Sequence, residues 1–209
     1  VSGIDVIIED RTTDPTTIVP LKTLDLEVRD ISNQMLWTGR PMRFDMLCTA
    51  DRVPLPPRKG VTSTAPASAD GLEDRELFSQ IVARGQIGMK QLPDGRTILT
   101  GWAKTSVSGF ELLGVRGLAK AQQVEIGGGV FDHSTDIRFR DNGLIETRNR
   151  AVFTNLSLSE PPNGPLQRIF QLPAPIDVAI GALTAPDGSI TLNLPVTIES
   201  GEVDKGKLI

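Results

Sequence analysis

Few residues of this chain have the chemistry of a catalytic or metal site, and no motif groups them. His133 is the only histidine, with Asp132 and Asp136 near it. A metal site needs two or three further ligands that converge on the ion, and the sequence contains no HxH, HExxH or CxxC spacing. The pattern therefore predicts that His133 is a surface histidine in a turn and that the chain holds no metal.

Nucleophilic catalysis finds equally little support. Cys48, the only cysteine, lies on the apolar side of an alternating segment, where a small buried side chain is expected. A pair of Cys48 with His133 is conceivable, but nothing around either residue supports it. The G-x-S-x-G motif is absent, while two carboxylates converging for glycoside hydrolysis stay open as an alternative. We predict a protein that is not an enzyme and that binds no cofactor.

The three glycines at 127–129 come nearest to a phosphate-binding loop. Such a loop joins a strand to a helix and has G-x-G-x-x-G or G-x-x-x-x-G-K-[ST] spacing. Here Val130 and Phe131 follow the glycines and begin a further strand pattern. We therefore predict a bulge or bend in a sheet and no nucleotide site.

Composition disfavours several classes of partner. The 209 residues carry a net charge of −4 without a run of Lys or Arg, which disfavours nucleic acid. Aromatic residues make up only 4%, which disfavours a stacking surface for sugars or bases. One cysteine cannot form a disulfide within the chain, and no apolar stretch approaches a membrane span. Because the chain starts at Val1 inside an apparent strand, we expect a fragment of a larger protein, with one β-rich domain over 1–209.

Alternating segments dominate the chain. Residues 4–8 read as a short strand, and 21–31 and 42–50 each place apolar side chains on one side only. Such alternation is typical of antiparallel strands with one buried face. The apolar sides hold Leu24, Leu26 and Val28 in the first of these and Met42, Phe44, Met46, Cys48 and Ala50 in the second.

Three segments depart from this alternation. Residues 53–71 contain four prolines and predict a flexible loop without sheet or helix. Residues 72–84 predict a helix that ends at Gly85, because Leu77, Phe78, Ile81 and Val82 have helical spacing. Residues 114–122 predict a second short helix. With nine to eleven strands in the remainder, the sequence predicts a mainly β fold with one or two helices.

Two turn sequences define hairpins with a stated register. Asp141-Asn142-Gly143 suits a three-residue loop with a left-handed glycine, which sets Arg140 opposite Leu144. A Pro-Asp-Gly turn at 93–95 predicts a second hairpin, in which Met89 faces Leu99. The first register pairs Arg138 with Glu146, Asp136 with Arg148, Phe139 with Ile145 and Ile137 with Thr147.

A third hairpin is predicted around Pro186-Asp187-Gly188. This loop sets Ala185 opposite Ser189 and pairs strand 176–184 with 189–199. The alternative is that 176–184 forms a short buried helix, because its apolar residues also fit helical spacing. The predicted strand pairs are Ile176 with Ile198, Val178 with Val196, Ile180 with Leu194 and Ala182 with Leu192.

The C-terminal segment 172–209 resembles the closing segment of the AsmA-like superfamily of bacterial envelope proteins, particularly its large AsmA/TamB-like branch. The opening 2–32 is similar to that family's first two strands, and 117–158 to its short helix, glycine-marked strand and hairpin. The family's acidic-proline pair after the last strand is replaced here by 202–205. The matching C-terminal residues are Leu172-Pro173, Leu183, Asp187-Gly188, Ile190, Leu192, Leu194-Pro195-Val196 and Gly206-Lys207-Leu208-Ile209.

This resemblance implies a curved antiparallel sheet of consecutive hairpins that forms a trough with an apolar inside. It also implies a periplasmic location, an inner-membrane anchor elsewhere in the parent protein, and a role in phospholipid transport or outer-membrane maintenance. The implied partners are phospholipid acyl chains and neighbouring segments of the same parent chain.

The trough and an ordinary β-sandwich core would use the same apolar residues. In the sandwich, a second layer covers them, and the domain acts as a structural or protein-interaction module. The two interpretations differ in whether protein covers the apolar face. The candidate lipid-groove residues are Leu24, Leu26, Val28, Phe44, Met46, Ile137, Phe139, Val178, Ile180, Leu192 and Leu194.

Overall fold

One large antiparallel sheet dominates the computed structural model, which describes residues 1–32, 40–58, 71–199 and 202–203. The sheet order is β1-β2-β3-β6-β7-β8-β9-β10-β11, it is not closed, and β4 pairs with β5 in a separate hairpin. The strands are β1 (Ile4–Asp10), β2 (Thr17–Arg29), β3 (Met42–Ala50), β4 (Arg52–Leu55), β5 (Glu73–Glu76), β6 (Gln80–Gln91), β7 (Thr97–Glu111), β8 (Glu125–Phe139), β9 (Ile145–Ser159), β10 (Ser189–Glu199) and β11 (Glu202–Val203). The helical elements are a 3-10 turn (Leu112–Val115), α1 (Arg116–Ala121), α2 (Pro165–Ile169) and α3 (Ile176–Leu183).

The predicted fold class is confirmed: the protein is mainly β, with a curved antiparallel sheet built largely from consecutive hairpins. The described residues contain three short α-helices, one more than the upper prediction. Helix α1 confirms the helix expected over 114–122. The separate β4–β5 hairpin interrupts the order of the main sheet, because β3 pairs directly with β6.

The register predicted around 141–143 is confirmed. Arg140 N donates to Leu144 O over 2.8 Å, and Gly143 adopts a φ of +85° that favours glycine. Met89 also faces Leu99, as the second hairpin predicts. The pairs across β8 and β9 are Arg138 with Glu146, Asp136 with Arg148, Phe139 with Ile145 and Ile137 with Thr147.

The glycines at 127–129 form the predicted irregularity in the sheet. The β8–β9 register shifts on both sides of Gly128, and Gly129 has a φ of +129°. A Cβ atom at Gly129 would lie 3.1 Å from the backbone of Leu156, so the close approach needs glycine. A further register shift lies between Val107 and Phe110 of β7. Such bulges bend and twist a sheet, which is how this one acquires its curvature.

The helix predicted over 72–84 is wrong. This segment forms β5 and the start of β6, with Leu77 and Phe78 in the break between them. Both side chains are buried, at 0% and 1% exposure. A break in a strand allows two consecutive side chains to point into the same core. In the sequence, Leu77 and Phe78 together with Ile81 and Val82 therefore have the spacing that is typical of the apolar face of a helix.

The loop predicted over 53–71 is wrong at its start. Val53 and Leu55 belong to β4 and are buried, opposite β5. Pro54 fits because an edge strand does not need every N–H group for pairing. Residues 59–70, the central part of the predicted loop, lie outside the described residues.

The strand predicted over 176–184 is also wrong. The segment is helical, as the alternative had it, but none of the helix residues is buried. Residues 176–183 form α3, although the turn itself is as predicted: Ala185 N donates to Ser189 O over 2.8 Å. Strand β10 instead pairs with β9 along its length, from Ser189 opposite Thr154 to Ile198 opposite Ile145. The predicted pairs Ile176–Ile198, Val178–Val196, Ile180–Leu194 and Ala182–Leu192 therefore do not form.

The fully buried core lies at one end of the main sheet, which we call the closed end. There the β4–β5 hairpin and the 3-10 turn cover the adjoining ends of the long strands. Phe78 stacks on Phe110 with ring centroids 6.4 Å apart. Cys48 is buried here, as expected, and burial raises the pKa of its thiol. The core contains Cys48, Ala50, Val53, Leu55, Leu77, Phe78 and Leu113.

Candidate functional site: an uncovered apolar face

The pairing register places many of the apolar residues of the main sheet on one face, which we call the lining. Successive strands contribute side chains at matching positions, so the apolar surface runs across the sheet. The part of the lining beyond the core, away from the β4–β5 hairpin, is called the open end. One transverse row of the lining contains Leu26, Met46, Ala83, Thr105, Thr135, Asn149 and Leu194.

The sheet brings together all predicted groove residues except two. Val178 and Ile180 lie on α3 instead, because the segment 176–183 is helical, and Val178 is 56% exposed. Leu24 packs against the core at the closed end. The predicted residues on the lining are Leu24, Leu26, Val28, Phe44, Met46, Ile137, Phe139, Leu192 and Leu194.

Large apolar side chains at the open end remain accessible. Leu26 is 39% exposed, Leu99 41% and Leu194 43%, on three strands spread across the sheet. In the part of the chain that the structure describes, the only second sheet is the β4–β5 hairpin, which packs at the closed end. The open end therefore offers apolar surface that the described protein leaves uncovered.

A cluster of uncharged polar side chains interrupts the lining on β7, β8 and β9, and the sequence reasoning missed it. Four of its members are joined by hydrogen bonds, and Thr105 lies opposite Thr135 in the sheet. Thr135 Oγ1 lies 2.8 Å from Asn149 Oδ1 and 3.3 Å from His133 Nε2. Asn149 Nδ2 donates to Thr147 Oγ1 over 3.1 Å. We call this group the polar cluster; it contains Thr105, His133, Thr135, Thr147 and Asn149.

The prediction that His133 is a surface histidine in a turn is wrong. It lies in the middle of β8, half-buried, with its ring stacked on Phe131 at 5.9 Å between centroids. Strand β8 runs from the glycine bulge to the 141–143 turn, so the alternation that places Ile137 on the lining also places His133 there. If the alternation of the 141–143 hairpin is continued along β8 toward its start, the sequence predicts His133 on the same face as Ile137.

The opposite face of the sheet is charged and contains a recess of about 800 Å³. Arg84, Lys104, Arg148 and Arg150 line it, with Asp136 as their only acidic neighbour in the recess. Lys104 Nζ lies 3.4 Å from Asp136 Oδ2. This face, which we call the polar face, follows the alternation expected of a sheet with one side in water.

The ionisable groups of the polar face form ordinary surface pairs. Arg140 donates to Glu146 over 2.6 Å, and this hydrogen bond lowers the pKa of the Glu146 carboxyl. Within residues 1–32, 40–58, 71–199 and 202–203, no group of three His, Cys, Asp or Glu side chains could hold a metal. None of the helices in those ranges has both the length and the apolar character that crossing a bilayer requires.

Comparisons with protein-family models, curated proteins and solved structures give no match. A function must therefore be inferred from the lining and from the chemistry that this surface can supply.

Proposed function

We propose that the lining binds phospholipid acyl chains, as a non-catalytic segment of a bacterial envelope protein that contributes to phospholipid transport or outer-membrane maintenance. The single observation that carries the proposal is the exposure of about 40% at Leu26, Leu99 and Leu194 on the open end. These three residues lie on β2, β7 and β10, so exposed apolar side chains occur at several places across the sheet.

Burial of apolar surface supplies the driving force for such binding. Each square ångström of apolar area removed from water contributes about 25 cal/mol. Continuous apolar patches beyond a few hundred square ångströms are unusual on monomers and mark sites of interaction. Acyl chains are linear and carry no hydrogen-bonding groups, so they match a face whose backbone groups are already paired in the sheet.

The resemblance of 172–209 to AsmA-like proteins supports the same proposal from the sequence. It suggests that this segment lies in the periplasm and that its parent protein is anchored in the inner membrane. The helix at 176–183 leaves the turn at 186–188 and strand β10 in place, and these carry half of the matching residues.

The edges of the sheet favour a second candidate function, a structural or protein-interaction module. Among the described strands, β1 pairs only with β2, so within that part of the chain its other side is an unpaired edge, and Ile7 of β1 is 73% exposed. Open edges accept an added strand from another chain or segment. Neighbouring segments of the same parent chain would be suitable partners.

Two matched variants test the lipid proposal. Leu194 and Asn193 are adjacent in β10, both exposed, and point to opposite faces. We expect Leu194→Lys to reduce the phospholipid recovered in organic extracts of purified protein by about fivefold or more, because a charge on the lining must be desolvated by an acyl chain. Asn193→Lys should leave the recovery unchanged.

Mass spectrometry of the extracts, normalised to protein, gives the measurement, and urea midpoints establish that both variants fold. A lipid-free wild-type protein, or equal loss in both variants, would contradict the proposal. If Ile7→Pro removes binding of a partner segment while lipid recovery is unchanged, the edge of the sheet has a separate role.

A further inference from the structure

We propose that the polar cluster selects lipids that carry an uncharged hydroxyl group within their apolar part. This inference rests on the proposed function and names the class of lipid that the lining prefers. The cluster lies on the lining with apolar rows on both sides: Phe110 and Phe131 toward the closed end, Phe139 and Ile145 toward the open end. A wholly apolar ligand would leave the groups of this cluster that have no partner within the protein without a hydrogen bond.

The hydrogen bonds fix the direction of each proton in the cluster. Asn149 Nδ2 lies 2.9 Å from the carbonyl oxygen of Leu194, which can only accept, so the amide nitrogen faces β10. Asn149 Oδ1 therefore faces Thr135 and accepts the single hydroxyl proton of that residue. Thr135 Oγ1 is then an acceptor toward His133, so His133 Nε2 carries a proton.

This assignment leaves two groups available to a ligand. In the tautomer with its proton on Nε2, His133 presents the lone pair of Nδ1, and the Thr105 hydroxyl has no hydrogen-bond partner in the described part of the chain. Arg75 Nε is the only buried side-chain atom without a partner among those residues. The two available groups on the lining are therefore accessible rather than buried.

The chemistry of the two available groups defines the ligand. A neutral Nδ1 accepts a hydrogen bond, and the Thr105 hydroxyl both donates and accepts. A lipid hydroxyl can donate to Nδ1 or form a hydrogen bond with Thr105, whereas an ester or ether oxygen cannot donate to the histidine. Charged groups are disfavoured because the lining positions of β6 to β10 carry no Asp, Glu, Lys or Arg.

Methyl ricinoleate and methyl oleate test this inference, because they differ only by one hydroxyl in the middle of the chain. We expect the wild-type protein to bind methyl ricinoleate about three- to tenfold more tightly, in competition with a fluorescent acyl probe. The Thr105→Val/His133→Phe variant should lose this preference and keep its affinity for methyl oleate. Ser106→Ala/Ser134→Ala, on the polar face of the same strands, should keep the preference.

Thr105→Ser retains the hydroxyl and should also keep the preference, which separates loss of the group from loss of folding. Equal binding of the two esters by the wild-type protein would overturn this inference and leave the proposed function standing. Binding of neither ester would overturn both. Retention of the preference in the Thr105→Val/His133→Phe variant would show that the hydroxyl is recognised elsewhere.

Discussion

Leu77 and Leu99 are the same residue type on the same side of the sheet, yet Leu77 is 0% exposed and Leu99 is 41% exposed. Leu77 lies at the closed end, beneath the β4–β5 hairpin and beside the 3-10 turn. Leu99 lies at the open end, where it faces Met89 across the start of the β6–β7 hairpin. One apolar face therefore contains a sealed core and an accessible surface.

Because the two ends differ in exposure, they should contribute to different properties of the protein, the closed end to stability and the open end to lipid binding. A sealed core contributes to the free energy of unfolding through burial and close packing. An exposed apolar surface contributes little to that free energy until a ligand covers it. Substitutions at the closed end should therefore change stability, and substitutions at the open end should change lipid binding.

The largest effect is expected for Leu77→Ala. Removal of a fully buried leucine side chain leaves a cavity, and we expect the free energy of unfolding to fall by about 3–5 kcal/mol. Urea denaturation followed by circular dichroism measures the change. A loss below about 1 kcal/mol would mean that the closed end is no better packed than the open end.

Glu111→Gln should have the next largest effect. Glu111 is 3% exposed, forms an ion pair with Arg58, and lies 3.9 Å from Arg75 Nη2. Its amide substitute leaves Arg58 without its counter-charge and Arg75 with only Glu73, 3.7 Å away, so we expect a loss of about 2–3 kcal/mol in urea denaturation. Glu146→Gln, which breaks an exposed pair with Arg140, is the control and should leave the midpoint close to wild type.

Leu99→Ala is the counterpart of Leu77→Ala at the open end. Because this side chain is already partly in water, the free energy of unfolding should fall by less than about 1 kcal/mol. Phospholipid recovery should decline at the same time. A stability loss as large as that of Leu77→Ala would indicate that protein covers the open end in solution.

Asp187→Asn should have the smallest effect, and it depends on pH. The Ser189 hydroxyl and backbone N–H donate to Asp187 and lower the pKa of its carboxyl below 3.8. A lowered pKa in the folded state stabilises the protein above the pKa of the unfolded chain, and this contribution disappears as the pH falls through the folded value. The thermal midpoint of the wild-type protein should be higher than that of Asp187→Asn at pH 7, and this difference should disappear at low acid pH. The same difference at both pH values would contradict a contribution from the ionised Asp187 carboxyl.

The sequence predicted the hairpins with strong turn chemistry and missed the elements whose periodicity is ambiguous. Asp141-Asn142-Gly143 determines the register of β8 and β9 because the loop length and the left-handed glycine permit one alignment. Residues 176–183 fit both a period of two and a period near four. Strand β10 pairs with β9 along its length, so 176–183 is not its strand partner and forms a helix instead. The residues of 176–183 themselves do not indicate this long-range pairing.

The sequence predicted that the apolar residues of the candidate site share one face of the sheet, but it did not predict the polar cluster on that face. Alternation placed Leu26, Phe44 and Ile137 on one side of the sheet, and the register confirms this. The polar cluster depends on three strands meeting in register at Thr105, Thr135 and Asn149. That juxtaposition requires all the hairpin registers at once, so each strand by itself gives no indication of it.

Photo-crosslinking with a phospholipid that carries a diazirine on its acyl chain tests the central claim most directly. Illumination of protein incubated with vesicles of this lipid, followed by peptide mass spectrometry, identifies the residues that contact the chain. We predict adducts at the open end, on Leu26, Leu99 and Leu194, and none on Leu77. Adducts concentrated on the polar face around Arg148, or an absence of adducts from the lining, would contradict the account.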